Sequence, residues 1–372
     1  MSGFEGTSCS AAAADIPLPG TATRVTGWLC VEQPGAWGRD VIGDEVLGPE
    51  ITAELAARTK AAQVRPTLIR RPGRSEFTGV RTVFIASSRP EGSWCERFEI
   101  TDLKQLLDLD LHQLNGPPPG IGVPVDDPLV LVCAHGKRDQ CCALLGRPIA
   151  ASLAAEYPGR VWECSHTGGH RFAPAVVLLP SGLTYGRLDA AGARQAVEAA
   201  TRGAVSMTGL RGRSCYKPIE QVAELAVREQ ISAATDALTV RLEPTATARA
   251  PMGASVEAAP VGDSVESASA SVAVGVAVAE SAASALVEGS AGSAPASAQA
   301  SASMVPTTTA AVASAAADPT LAGAAVVTHH DGRRWRVTAH SVAFAPRQAS
   351  CGAAPKPVTA VVADEIQLLA DD

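Results

Sequence analysis

The chain has 372 residues, of which 46% are hydrophobic and 19% charged, so it is long enough for two or three domains with a buried core. Its net charge of −7 and the absence of a polybasic patch argue against a nucleic-acid-binding surface. No run of 18 or more apolar residues occurs, and the N-terminus lacks the features of a secretory signal, which argues against membrane insertion and export. We therefore expect a cytoplasmic protein that binds neither nucleic acid nor membrane.

The first segment, residues 1–124, predicts a mixed α/β domain. Strands are predicted at 24–31, 64–70 and 81–86, and a helix is predicted near 49–62. A thioredoxin-like layout is one option for this unit. A cluster of proline and glycine at 115–128 indicates its boundary.

The second segment, residues 125–245, predicts the order β-α-β-β-β-α, which is close to a thioredoxin-like layout. A buried strand ends at Cys133, a helix is expected near 147–157, and "RVWECS" predicts the next strand. An antiparallel pair around Pro180-Ser181-Gly182 follows. Helices are then expected near 190–202 and 218–229.

The rest of the chain differs sharply in composition. Residues 246–322 are mostly Ala, Ser, Val and Gly, which favours a disordered linker. Residues 323–372 predict a small β element with a hairpin turn at Asp331-Gly332. An element of this size is too small to be stable alone, so we expect it to dock on the main body.

Soft metal ligands concentrate in "CAHGKRDQCC" and "HTGGH". Cys133 ends a strand, Cys142 lies near the start of a helix, and His166 and His170 flank a predicted tight Gly-Gly loop. Two thiolates and two imidazoles suit either zinc or an iron–sulfur cluster. Eight residues separate Cys133 from Cys142, which is wider than the usual knuckle of a structural zinc site and suits a larger group.

Several motifs together resemble the sucrase/ferredoxin-like family: "CAHGKRDQCC", "HTGGHRFAP", "LPSGLTYGRL" and "GRSCYKP". "WLCVEQPGAWGRD" and "RQASCGAAPKPV" are similar to flanking signatures of its bacterial members. The resemblance implies a thioredoxin-like ferredoxin domain with a [2Fe–2S] cluster. It also implies the cluster ligands, which are Cys133, Cys142, His166 and His170. Because Cys141 adjoins Cys142, it remains an alternative ligand.

These features predict an electron carrier or redox module more than a stand-alone enzyme. One-electron transfer would be coupled to a proton if the imidazole ligands titrate. The chain has no dinucleotide fingerprint or P-loop, so a separate reductase would donate electrons and another protein would accept them. No carboxylate pair can be assigned to sugar hydrolysis. The alternative is a zinc-stabilised structural or interaction protein without redox activity.

Overall fold

The computed structural model describes residues 8–73, 76–244 and 322–370. The linker predicted at 246–322 lies outside these residues, apart from Ala322, which begins a strand. The helices are α1 (Cys9–Ala12), α2 (Pro49–Ala62), α3 (Gln140–Glu156), α4 (Ala190–Thr201) and α5 (Pro218–Gln230). Short 3₁₀ turns occur at Leu103–Leu107, Leu111–Asn115 and His170–Phe172. None of these described helices is both long enough and apolar enough to cross a membrane.

Ten strands form one mixed sheet. They are β1 (Gly27–Glu32), β2 (Val64–Arg70), β3 (Arg81–Ser87), β4 (Trp94–Ile100), β5 (Val123–Pro124), β6 (Leu129–Cys133), β7 (Val161–Cys164), β8 (Ala175–Leu179), β9 (Leu183–Gly186) and β10 (Leu210–Arg213). Their spatial order is β10-β9-β8-β6-β7-β2-β1-β3-β4-β5. The predicted α/β class is confirmed, and the order β6-α3-β7-β8-β9-α4 is the predicted β-α-β-β-β-α succession.

The two halves of this sheet repeat one topology. In the first half the spatial order is β2-β1-β3-β4, and in the second it is β7-β6-β8-β9. In each half the first two strands are parallel and the remaining neighbours are antiparallel. The halves join edge to edge where β2 pairs with β7, with Ile69 opposite Cys164 and Arg70 opposite Glu163. This junction places the first half beside the end of β7.

Alternating side chains of the strands line two faces, as the pleat of a β-strand requires. On one face Trp28, Leu131 and Trp162 belong to a core that spans both halves and contains seven of the nine cysteines. The other face has separate cores for the two halves, packed under the helices of each. The shared core extends to the ends of β6 and β7, so groups placed there are shielded from water.

Helix α3 begins earlier than the predicted 147–157. Asp139 caps its N-terminus by accepting a hydrogen bond from the N–H of Cys141, and Pro148 lies inside the helix. Gly146 allows the helix to lie against β6, because a Cβ there would stand 2.2 Å from the carbonyl oxygen of Cys133. The proline and glycine obscured the helical pattern, although the cap at Asp139 was visible in the sequence.

A second sheet contains the C-terminal segment. Its strands, in spatial order, are β11 (Leu238–Leu242), β12 (Ala322–His329), β13 (Arg334–Gln348) and β14 (Pro355–Leu369). The predicted hairpin at Asp331-Gly332 is confirmed, since β12 and β13 pair across it. Helix α5 packs on this sheet through apolar side chains such as Ile219 and Val227. The predicted docking of the C-terminal element is therefore observed, and β11 adds a strand to it.

Candidate metal centre

The candidate centre lies at the carboxyl ends of β6 and β7. Cys133 is the last residue of β6, and Cys142 lies in the first turn of α3. His166 follows β7 after one residue, and His170 opens the 3₁₀ turn His170–Phe172. The parallel pairing of β6 with β7 therefore brings both ligand segments to one edge of the sheet.

All four predicted ligand side chains meet at this edge. The thiols of Cys133 and Cys142 are hydrogen-bonded to each other, and Cys142 Sγ lies 3.4 Å from His170 Nδ1. The rings of His166 and His170 are stacked, with centroids 3.8 Å apart. Both thiols are 1% exposed and His170 is 7% exposed, whereas His166 is only partly buried. The arrangement is a thiol pair beside an imidazole pair, with His166 nearest the solvent.

The loop between the histidines depends on its two glycines. Gly168 and Gly169 have φ values of 98° and 74°, in the region that disfavours other residues. A Cβ on Gly168 would stand 1.8 Å from Thr23 Oγ1, and one on Gly169 would stand 2.3 Å from Arg211 Nη2. The predicted tight loop is confirmed. Close packing against other segments is a further reason for glycine here.

The thiol pair shares its protons unequally. The pKa of Cys133 is lowered from 9.0 to about 7, because the Cys142 thiol donates to it and the N–H groups of His135 and Thr167 point at its sulfur. These donors outweigh the effect of burial. The pKa of Cys142 is raised, because its proton is held in the bond to Cys133 and because it is buried. Cys133 is thus the thiol that the fold prepares for ionisation.

The imidazole pair is held neutral. Burial lowers the pKa of His170 to about 4, and burial together with the neighbouring His170 lowers the pKa of His166 well below 6.5. Near neutral pH both rings are therefore unprotonated, which is the form that binds metal ions.

Two arginines from different halves of the sheet hold the histidine loop. Arg65 on β2 donates from Nη2 to the carbonyl oxygen of His166 at 2.6 Å. Arg211 on β10 is 1% exposed and donates from Nη1 to the carbonyl oxygen of Gly168 at 3.2 Å. Each guanidinium fixes a backbone position and places a positive charge beside the thiols. Sequence reasoning did not identify either residue, because neither lies near the ligand motifs in the chain.

The segment "WGRD", residues 37–40, lies against the loop between Cys133 and α3. The Nε2 of His135 donates to the carbonyl oxygen of Gly38 at 2.6 Å, while its Nδ1 accepts from the N–H of His166 at 3.2 Å. The Trp37 ring meets the His135 ring edge-on, with centroids 5.8 Å apart. Both ring nitrogens of His135 are therefore engaged in hydrogen bonds to the backbone.

The Cys141 thiol faces other partners than the four predicted ligands do. Its Sγ lies 3.2 Å from that of Cys351 and 3.5 Å from that of Cys9. With Asp139 these thiols form a group whose candidate ligand atoms all lie within 4.8 Å of one another. The carboxylate of Asp139 also forms such a group with the thiol of Cys142 and the imidazole of His170. Asp139 therefore lies between the three-thiol group and the predicted ligands. Asp139 was missed, although its position before a helix marked it as a cap.

The sequence model of the Sucrase/ferredoxin-like family matches residues 18–212, which is more than half of the chain. The chain belongs to the sucrase/ferredoxin-like family. Comparison with curated proteins and with solved structures gives no significant match. The family segment contains the thiol pair, the imidazole pair and both arginines of the loop. It does not include Cys9 or Cys351.

The donor set of this sucrase/ferredoxin-like protein fits a metal centre. Two soft thiols and two neutral imidazoles are ligands for zinc and for iron–sulfur clusters. The backbone N–H groups of His135 and Thr167 supply hydrogen bonds to the Cys133 sulfur, as is common for metal-bound thiolates. Cys164 is opposite Cys133 in the register, but it is fully buried and its pKa is raised by burial, so it is a packing residue.

Proposed function

We propose that this protein is a [2Fe–2S] redox protein with the ligands Cys133, Cys142, His166 and His170. The observation that carries the proposal is the pairing of the donors, with two thiols on one side and two stacked imidazoles on the other. In Rieske [2Fe–2S] centres, which also have two Cys and two His, the two Cys hold one iron and the two His hold the other. A single zinc ion would take the same four residues on one metal, without dividing them into two pairs.

When bound, such a cluster would supply reversible one-electron transfer, and the protein residues would set its potential and its access to solvent. The guanidinium groups of Arg65 and Arg211 stabilise added negative charge, because positive charges in a buried site are weakly screened. The two imidazoles are neutral ligands and raise the potential relative to four thiolates. Both effects favour the reduced state.

His166 is the most exposed of the four ligands, so we infer that electrons enter and leave at its side of the site. Its ring has a second nitrogen that can hold a proton when the other binds metal. The N–H of Gly168 lies 3.2 Å from His166 Nδ1 and favours the unprotonated form of that atom. We propose that gain of an electron is coupled to gain of a proton at the imidazole nitrogen that does not bind metal.

Two further properties belong to the same proposal. A separate reductase supplies electrons and a separate protein accepts them, and the chain acts as a carrier or redox module rather than as a stand-alone enzyme. All nine cysteines are free thiols, which suits a reducing compartment such as the cytoplasm.

The test is anaerobic purification followed by iron, sulfide and zinc analysis and visible absorption. We expect a red-brown protein with about two irons per chain, whose absorption bleaches with dithionite. Replacement of His166 or His170 by Ala should abolish the colour, whereas His112→Ala, at an exposed position, should retain it.

The competing function is a zinc-stabilised interaction protein, which is favoured by the same donor chemistry. Colourless protein whose zinc is lost on replacement of Cys142 or His170 would establish that alternative and exclude the redox proposal. Zinc that is indifferent to these substitutions does not occupy this site.

A further inference from the structure

A second cluster of ligand atoms lies outside the proposed cluster site. It combines three thiols and one carboxylate from three distant segments: Cys9 in α1, Asp139 and Cys141 at the start of α3, and Cys351 in the turn between β13 and β14. In the chain, Cys9 and Cys141 are 132 positions apart, Cys141 and Cys351 are 210 apart, and Cys9 and Cys351 are 342 apart. Tertiary folding alone brings them together.

The spacing of these atoms is that of a tetrahedral metal site. The Sγ–Sγ distances are 3.2 Å for Cys141–Cys351, 3.5 Å for Cys9–Cys141 and 3.6 Å for Cys9–Cys351. The carboxylate of Asp139 lies 3.4 Å from Cys9 Sγ and 3.7 Å from Cys351 Sγ. With Zn–S bonds of about 2.3 Å and a Zn–O bond of about 2.0 Å, neighbouring ligands of tetrahedral zinc stand roughly 3.5–3.8 Å apart.

The carboxylate is also held in a fixed orientation. Asp139 is 2% exposed, and its two oxygens accept hydrogen bonds from the N–H groups of Cys141 at 2.9 Å and Cys351 at 2.7 Å. Each oxygen retains a lone pair for a metal ion. Within the described residues Asp139 makes no ion pair with Lys, Arg or His. A buried carboxylate surrounded by thiols is costly without a cation, which a bound metal would supply.

We propose a second metal site, specific for a thiophilic divalent cation such as Zn²⁺, with the ligands Cys9, Cys141, Cys351 and Asp139. Binding would release three thiol protons to solvent and form three Zn–S bonds and one Zn–O bond. All four coordination positions are protein ligands, so the site is structural. The four anionic ligands leave a net charge of −2, which Arg171 beside Cys9 partly offsets.

The site would fasten two distant segments of the chain to the first turn of α3. Through Cys9 it ties α1 to the first turn of α3, and through Cys351 it ties the tip of the β13–β14 hairpin to the same turn. Cys142 lies in that turn, so the zinc would hold the loop that carries a ligand of the proposed cluster. The two sites are back to back, with Asp139 between them.

The test measures zinc and iron per chain in the full-length protein, expressed with both metals supplied and purified without oxygen. We expect about one zinc in the wild type, and at least a fivefold loss of zinc in Cys351→Ser and Cys9→Ser with iron retained. Cys142→Ser should instead lose iron and retain zinc. Cys215→Ser removes a buried thiol outside both groups and should change neither metal.

X-ray absorption at the zinc edge of the wild type makes the test independent of how the variants fold. We expect three sulfur neighbours and one oxygen neighbour, without imidazole scattering. A wild type without zinc, zinc bound to imidazole, or a disulfide between any two of the three cysteines by mass spectrometry would overturn the proposal. If zinc is lost only when Cys142, His166 or His170 is replaced, both this proposal and the iron–sulfur assignment are overturned. If zinc is lost when Cys351 is replaced and iron is kept, the iron–sulfur assignment is unaffected.

Discussion

Cys141 and Cys142 are consecutive residues in the first turn of α3, and their thiols face different partners. Cys142 Sγ lies 3.4 Å from His170 Nδ1, whereas Cys141 Sγ lies 3.2 Å from that of Cys351. Consecutive residues of an α-helix point about 100° apart, so one turn can serve two sites. The two thiols therefore have different sets of neighbours.

The first prediction separates these cysteines. Cys142→Ser should lose the visible absorption and the iron, because it removes a thiol of the proposed cluster site. Cys141→Ser should retain both, because its side chain faces Cys9 and Cys351 instead. Iron analysis and absorption spectra of the two variants provide the measurement. Loss of iron in Cys141→Ser with retention in Cys142→Ser would reverse the proposed ligand assignment.

The second prediction concerns the reduction potential. If an imidazole ligand gains a proton on reduction, raising the pH makes reduction less favourable, so the potential falls. The slope approaches about 59 mV per pH unit for one proton and one electron. Voltammetry between about pH 6 and pH 10 measures this slope. A potential that stays flat over this range would exclude proton coupling through the histidines.

The third prediction concerns the stability of the metal-free protein. His166 and His170 have pKa values lowered by burial, so the unfolded chain binds more protons below about pH 6.5. The stability they contribute is present above that pH and is lost as the pH falls towards the folded-state pKa. Each of the two histidines should cost about 1 kcal/mol per pH unit over this interval.

Urea unfolding of chelator-treated protein at several pH values tests the sign. The double variant His166→Gln/His170→Gln should lose less stability on acidification than the wild type. The matched variant His112→Gln, at an exposed position, should behave as the wild type does. The contribution of Cys133, whose pKa is also lowered, is common to all three proteins and cancels. Equal pH dependence in the double variant and the wild type would contradict the burial argument.

The fourth prediction uses two glycines of similar conformation. Gly169 and Gly203 have φ values of 74° and 69°, but only Gly169 has neighbours where a Cβ would be placed. Alanine at either position strains the backbone by about 1 kcal/mol. Alanine at Gly169 must also displace Arg211, so we expect a further loss of stability of roughly 1–3 kcal/mol. Thermal unfolding and iron content measure this, and similar losses in both variants would show that the contact with Arg211 is unimportant.

Local patterns in the sequence were sufficient for most elements. The helix at 49–62 and the strands at 64–70 and 81–87 lie within a residue of their predicted bounds, because apolar periodicity and flanking breakers are local signals. The strand Trp94–Ile100 was missed, since three of its seven residues, Glu96, Arg97 and Glu99, are charged. Helix α3 was placed late because Gly146 and Pro148 weaken the helical pattern.

The ligand motifs were likewise visible as residue types at particular spacings, and the family resemblance supplied their expected cofactor. The sequence also determined the tight loop at Gly168-Gly169, because glycine readily adopts backbone conformations with positive φ. What only the tertiary structure decided is which side chains meet. The direction of the Cys141 thiol, the approach of Cys9 and Cys351, and the hydrogen bonds from Arg65 and Arg211 all depend on contacts between residues far apart in the chain. Such contacts are fixed by packing of the whole sheet, and no local pattern of residues encodes them.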